Sequence, residues 1–352
     1  MYLRVMILII GGLTAFPVLA GINFGRPGEP IHLIVGYQPY YTLSWSAIIN
    51  KHQGFWKKHL PMGSTVEFQS AFFGSPIVQA MVEGKQHFGY MGDMPAIAAT
   101  FRNLPPRGGV DIRIIGVLGI SHQCGNLLLR NQAPPTAIGL EAIRWLQGKG
   151  VATMHGTCSD YFARRALDSL GIKPREYFNQ SFDIIEQGFR DGTLDAAIVW
   201  EPKASQIVNS GWAKRAATSR DINQFDAGFI VALNDLIVQR PDVIKGWLHA
   251  ELEAQEFMIR HRVEVINIVN TEVLFKKEVL QEALYGQGKD TQLDFVVTNR
   301  VRKILDEATV FLYSLPKKTA AMPQLRQEAI VDHLARQVLQ EHQLNSPIGT
   351  IE

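Results

Sequence analysis

Short apolar runs closed by glycine alternate along this chain with stretches whose apolar residues recur every three or four positions, and no other feature restricts the fold as much. Ile31 to Val35 reads as a buried strand that stops at Gly36, and Ile48, Ile49, Phe55 and Trp56 mark a short helix ending near Gly54. Val66 to Gln69 is a second strand. Ser75-Pro76 then offers an N-cap followed by proline at the first helical position, with Ile77, Val78, Ala80 and Met81 as the apolar face and Gly84 as the stop. Phe88 to Met91 and Asp111 to Leu118 are further strands, with Asp93 capping the helix between them. After a break the pattern resumes with strands at Asn126–Arg130, Val151–Met154, Ala196–Val199 and Phe229–Leu233. Helical faces run through Phe162, Ala166, Leu167 and Leu170, and after Pro241 through Val243, Ile244, Trp247, Leu248 and Leu252; the remainder reads as mostly helical. Strands alternating with helices predict an α/β fold built on parallel sheets.

The chain has 352 residues, enough for two such units. GKQHFGYMGD, from Gly84 to Asp93, is echoed by GTLDAAIVWE, from Gly192 to Glu201. Each begins with Gly after a helix, runs through strand residues and ends in an acid close to a proline. Two similar lobes offering strand ends to one cleft would produce the echo; so would any α/β protein that repeats helix, Gly, strand and turn. Acidic and basic residues nearly balance, leaving a formal charge of +2. Nothing in that balance favours nucleic acid or an anionic membrane as partner. The sequence contains no Gly-rich phosphate loop, dinucleotide fingerprint, HExxH helix, nucleophile-elbow serine or EF-hand loop. An enzyme is therefore not expected, and neither is a cofactor.

Arg4 precedes an apolar stretch from Val5 to Ala20 that is interrupted by Gly11, Gly12 and Pro17. It is short beside the roughly 20 apolar residues of a membrane-spanning helix. Its small-residue exit at Val18, Leu19 and Ala20 fits a cleaved secretory signal over residues 1–20. The mature protein is then expected in the periplasm. The two cysteines, Cys124 and Cys158, would meet an oxidising compartment there, which favours a disulfide.

In open α/β sheets, ligands bind beyond the carboxyl ends of strands, where helix N-termini present free N–H groups. The segments at such ends are Gly36-Tyr37-Gln38, Phe72-Phe73-Gly74-Ser75, Met91-Gly92-Asp93, Ser121-His122-Gln123-Cys124, His155-Gly156-Thr157-Cys158-Ser159 and Trp200-Glu201. Glycines admit a ligand close to the backbone, hydroxyls and N–H groups bind polar heads, and aromatics enclose an apolar body. Ordinary structural roles are also open to these residues. Ser75 and Asp93 could serve only as helix caps, each worth about 1 kcal/mol; Tyr37 and Phe73 could be packing, and Glu201 an ion-pair partner between lobes.

GYQ at 36–38, GSPIVQAMVEGKQHFGYMGDMPAIAA from Gly74, GKGVATMHGTCSDYFARRAL from Gly148, DGTLDAAIVWEP from Asp191 and FIVALNDLIVQRPDVIKGWL from Phe229 stand in a family's order. With them the chain resembles the periplasmic binding components of nitrate, taurine and alkanesulfonate ABC importers, a family that also includes binders of thiamine pyrimidine precursors. The resemblance runs from about Ile31 to Leu252. It implies a two-lobe periplasmic-binding-protein fold (type II-like) with the ligand cleft between the lobes. The first lobe would take residues 21–125 plus 225–352, and the second residues 126–224. A monomer would deliver a small anionic or polar solute, sulfonate-like or heterocyclic, to an ABC transporter permease. By position the resemblance places Ser75, Asp93, Thr157, Cys158, Ser159, Trp200 and Glu201 at the ligand. Tyr37, Gln38, Phe73, Gly74, Gly92, His122, Cys124 and His155 join them from the strand-end reading. The chain departs from the family where Cys158 stands in a turn usually built from Ser and Thr. His122-x-Cys124 and His155-x-x-Cys158 accordingly leave three readings open: a disulfide, separate thiols, or a metal or soft-ligand site serving a carrier or enzyme on the same fold. A receptor-coupled sensor is a further alternative.

Overall fold

The computed structural model describes residues 22–101, 110–286, 288–314 and 324–351. The expected signal stretch lies outside the described residues. In chain order the strands are β1 (His32–Tyr37), β2 (Thr65–Ser70), β3 (Phe88–Gly92), β4 (Ile112–Ser121), β5 (Asn126–Arg130), β6 (Gly150–Thr153), β7 (Glu176–Asn179), β8 (Ala196–Val199), β9 (Ala213–Thr218), β10 (Asp226–Leu233), β11 (Thr291–Leu293) and β12 (Gly349–Ile351). They form two sheets, ordered β12-β11-β4-β10-β3-β1-β2 and β7-β6-β8-β5-β9. The strands of the second sheet all fall between Asn126 and Thr218, and those of the first lie on either side of that interval. The chain passes between sheets twice, through residues 122–125 after β4 and through residues 223–225 before β10.

The sheets are mixed rather than parallel, which corrects the sequence reading. β2, β1 and β3 run parallel, as do β7, β6 and β8. β10 lies antiparallel between β3 and β4, and β5 lies antiparallel between β8 and β9. These two strands follow the crossings, so each enters its sheet from the side facing the other lobe. Apolar alternation reports that a strand is buried but not which way it runs.

Each βα unit is fixed by local packing. Every residue of β10 is buried, as suits a central strand covered on both faces. Behind it, Trp247 of the helix Pro241–Arg260 stacks on Phe88 at 5.0 Å and donates its indole N–H to the Tyr90 hydroxyl at 2.8 Å. Tyr90 in turn donates to Glu251 on the same helix. The pair of bonds locks the helix in register against the sheet, and satisfies polar groups that would be costly if buried alone. No helix of the described residues is long and apolar enough to cross a membrane.

Candidate functional site

A cavity of about 320 Å³ lies between the two sheets, at the carboxyl ends of β1, β3, β6 and β8. Three helices begin at its wall: Gly74–Val82, Asp93–Phe101 and Cys158–Ser169. The N–H groups of a first helical turn lack an i−4 carbonyl partner; here the side chains of Asp93 and Thr157 take those of Met94 and Asp160. The helix Gly74–Val82 begins one residue before the predicted Ser75 cap. Phe73 is its N-cap and supplies no side-chain hydrogen bond. The exposed Ser75 therefore sits inside the first turn, and among the described residues no hydrogen bond engages its hydroxyl. Gly74 is required by close approach: a Cβ there would lie 2.4 Å from the Pro95 ring of the neighbouring helix. Gly156, with φ of 74°, makes the left-handed turn that brings Thr157 to its N-cap position, where Oγ1 accepts from the Asp160 N–H.

Of the residues expected at the ligand, Gln38, Phe73, Gly74, Ser75, Gly92, Asp93, His155, Thr157, Cys158 and Trp200 line this cavity. Gln38 is 6% exposed, and its Oε1 has no hydrogen-bond partner. His155 stacks on Tyr177 at 4.9 Å and leaves Nε2 without a partner. Trp200 donates its indole N–H to the Tyr40 carbonyl across the cleft at 3.1 Å, so it joins the lobes as well as walling the cavity. Gly156, part of the expected segment 155–159, lines it too; Tyr41, Val78, Met94, Pro95, Ala98, Met154 and Leu312 complete the lining and were not foreseen. Met94 and Ala98 follow Asp93 at helical spacing, a signal that was available. Leu312 comes from the distant helix Asn299–Ser314 and carried none.

The remaining candidates lie elsewhere, for identifiable reasons. Tyr37 is buried and donates to Glu272, behind the cavity. Ser159 is buried and donates to the Cys124 carbonyl. Glu201 is buried in an ion network with Arg215 and Lys289, and it accepts from the Ser205 N–H. His122 donates from Nδ1 to the Gln224 carbonyl at 2.7 Å and packs on Phe225, at a separate pocket. Cys124 is buried behind Cys158, to which it is bonded, with Cα atoms 5.8 Å apart. Both sulfurs are therefore occupied. Among the described residues no group of three His, Cys, Asp or Glu side chains is arranged to hold a metal ion. The four residues of the metal reading are divided between a disulfide, Cys124 with Cys158, and two separate pockets, His155 at the cleft and His122 outside it.

The cavity is mostly apolar, and among the described residues no lysine or arginine lines it. Its one carboxyl, Asp93, is buried, and burial pushes it up to about 6 against the backbone N–H groups of Met94 and Ala227. Behind it, burial and the neighbouring Asp93 push Asp226 up to about 7. Tyr41 is raised well above an ordinary phenol by burial and then by Asp226 and Asp93. Among the described residues no hydrogen bond joins the Ser75 or Thr157 hydroxyl to an imidazole; Thr157 donates to the Met154 carbonyl instead. The arrangement offers backbone and side-chain donors, aromatic faces and a restrained negative charge.

Comparison with known proteins places this geometry among relatives. The chain is 23% identical over 242 residues to an aliphatic sulfonates-binding protein of Bacillus subtilis (strain 168), covering 68% of this chain. The match spans 63% of that relative's length, less than two thirds. In fold it is similar to the periplasmic aliphatic sulphonate binding protein SsuA from Escherichia coli, with a TM-score of 0.71, 21% identity, and coverage of 85% of this chain and 97% of that one. The desulfurization enzyme DSZB also shares the fold, with a TM-score of 0.64, 14% identity, and coverage of 88% of this chain and 99% of the enzyme. The architecture is thus the two-lobe periplasmic-binding-protein fold, one that serves binding proteins and an enzyme alike. The family model that matches spans residues 26–269, most of the chain, and on that match this protein belongs to the NMT1-like family.

Proposed function

We propose that this chain is an extracytoplasmic solute-binding protein that captures a small molecule in the cleft and delivers it to an ABC importer. One observation carries the reading: hydrogen-bonding groups from both lobes, Gln38 and Ser75 on one side and His155 and Thr157 on the other, face a single apolar-walled cavity. A ligand touching both sides stabilises the closed arrangement, and a membrane permease can read closure. The relatives named for binding support the same reading, with the periplasm as its place. Catalysis is disfavoured by the cavity itself. Among the described residues the lining cysteine, Cys158, is held in a disulfide, and neither the Ser75 nor the Thr157 hydroxyl is hydrogen-bonded to the lining His155 or Asp93.

The lining also limits the ligand. Aromatic and thioether groups from Tyr41, Phe73, Met94, Met154 and Trp200 suit an apolar or aromatic body. Helix N-terminal N–H groups, with no cationic side chain among the described lining residues, suit a head of one negative charge or none. A dianion would lie against Asp93 without compensation. Monosulfonates and neutral heterocycles both meet these conditions. Calorimetric titration of the mature protein with a panel of both tests the reading. A ligand bound in the cleft should lose affinity by about 1 kcal/mol in Ser75→Ala, and by more in Gln38→Ala if a buried ligand group is left unpaired. If the panel yields a ligand whose affinity neither change alters, the cavity is not its site.

A further inference from the structure

A second, smaller pocket lies where both chain crossings meet, outside the cleft. It has a volume of about 140 Å³. His122, from the first crossing, and Phe225, from the second, form its floor, with ring centroids 4.0 Å apart. Arg220 reaches it from the short helix Ser219–Ile222, which follows β9 of the second sheet. Arg300 reaches it from the first-sheet side, as the second residue of the helix Asn299–Ser314. Ile120, Asp290 and Gln292 complete the wall.

The charges do not cancel. Arg220 pairs with Asp290, but both side chains are about half exposed, at 47% and 50%; such a pair is weak and screened. Arg300 has no carboxylate partner among the described residues. It donates Nη1 to Gln292 and lies over the Phe225 ring at 4.2 Å, which fixes the guanidinium plane while leaving its other N–H groups available. Two guanidinium groups and one carboxylate line the pocket, with Asp294 outside the lining but near enough to feel Arg300, so the lining itself carries one positive charge in a space suited to a small ion. Both arginines also lower the charging tendency of His122, after burial, as expected of a locally positive field.

We propose that this pocket binds a small oxyanion between Arg220 and Arg300, and that its occupancy favours one angle between the lobes. The two arginines are carried on opposite sides of the crossings, so an ion that bridges them ties one lobe to the other. Its affinity must then differ between open and closed forms, and the coupling to cleft closure is reciprocal. The site needs no ligand in the cleft, so it is tested independently of the solute-binding reading.

The test titrates sodium sulfate, sodium phosphate and sodium acetate into the full mature protein, with ionic strength held constant by sodium chloride. Melting temperature and the radius of gyration from small-angle scattering are followed. A bound ion gives a saturable rise in melting temperature above the general salt trend. Arg300→Gln should weaken that saturable part roughly tenfold or more, the usual cost of losing hydrogen bonds to a charged partner, and Arg300→Lys by less. Sulfate and phosphate acting without acetate would assign the site to tetrahedral ions; acetate acting as well would assign it to carboxylates too. The radius of gyration should shift with occupancy in the parent but not in Arg300→Gln. Should that variant fail to fold, Arg220→Gln supplies the same comparison. Three results would overturn the proposal: no saturable response, a response equal in the parent and the arginine variants, or a response lost in Ser75→Ala but kept in Arg300→Gln. The last would place the ion in the cleft. Binding without a change in radius would overturn the coupling.

Discussion

Asp226 opens β10 directly after the second crossing, buried beside Asp93 and held by Ser121 Oγ and the Cys124 N–H. Burial and then Asp93 raise its carboxyl from 3.8 to about 7. Between those values the folded chain holds a proton that the unfolded chain has released. Stability therefore falls as pH rises through that window, and the loss is complete above it. Asp226→Asn removes the titration. Its melting temperature relative to the parent should rise between about pH 4.5 and about pH 7.5, over a constant offset from the altered hydrogen bonds. A relative melting temperature that stays level or falls across the window would refute the assignment. Residues at this scale were only half legible in the sequence. Strand-end position pointed to Gln38, Asp93 and Trp200, which line the cavity. It also pointed to Tyr37 and Glu201, which lie off the lining, because neighbours on an extended chain point to opposite sides. Trp200 faces the cavity, so Glu201 beside it faces the ion network with Arg215 and Lys289. The pattern locates a backbone and leaves the side chain's direction to packing.

The helix Cys158–Ser169 shows the same division between what a pattern specifies and what tertiary structure adds. Its apolar face and its glycine-bearing start were legible, and residues 155–159 were read as a ligand turn. The pairing of Cys158 with Cys124 was one of three open readings, because spacing does not fix connectivity. In the structure the disulfide ties the helix start to the first crossing, over a separation of 34 residues. Ser159 adds a hydrogen bond to the Cys124 carbonyl, and Cys124 N–H reaches Asp226 at the second crossing. The donor end of the helix is thus fixed to both crossings. In the chain-entropy picture the closed loop contributes about 4 kcal/mol. The double change Cys124→Ser with Cys158→Ser should lower the melting temperature by several degrees. It should also weaken a cleft ligand, because Thr157 and the helix N–H groups lose their anchor. Calorimetry on that variant checks both. An unchanged ligand affinity would show the disulfide to be a stability feature alone. The antiparallel placement of β10 and β5 was not legible at this scale, since direction within a sheet follows from the crossings and not from strand composition.

At the scale of the whole molecule, the lobes meet on two sides of the cavity, and the contacts there differ in strength. On one rim Arg165 pairs with Glu307 at 3.0 Å, with both side chains about 40% exposed, and Tyr161 packs on Phe311 at 4.6 Å. Nearer the crossings Lys289, 7% exposed, pairs with Glu201, which is fully buried and shared with Arg215. Burial by itself would raise the Glu201 carboxyl, but Lys289 and Arg215 outweigh it and hold it below the ordinary range. An exposed pair contributes about 0–1 kcal/mol. Breaking a buried one costs about 3–5 kcal/mol when an uncompensated charge remains. The two sites should therefore respond differently to loss of one partner. Glu307→Gln should leave melting temperature, ligand affinity and the radius of gyration close to the parent's. Glu201→Gln leaves the buried Lys289 facing Arg215, with only the part-exposed Glu282 still paired to Arg215 at 3.5 Å, so it should lower the melting temperature and enlarge the unliganded protein in small-angle scattering. Ligand affinity should then fall in proportion to the lost closed fraction, although no cavity contact has changed. A saturating ligand should restore the parent radius, which separates a shifted equilibrium from a damaged fold. If Glu307→Gln opens the protein more than Glu201→Gln does, closure is governed at the rim, and the buried network serves the second lobe alone.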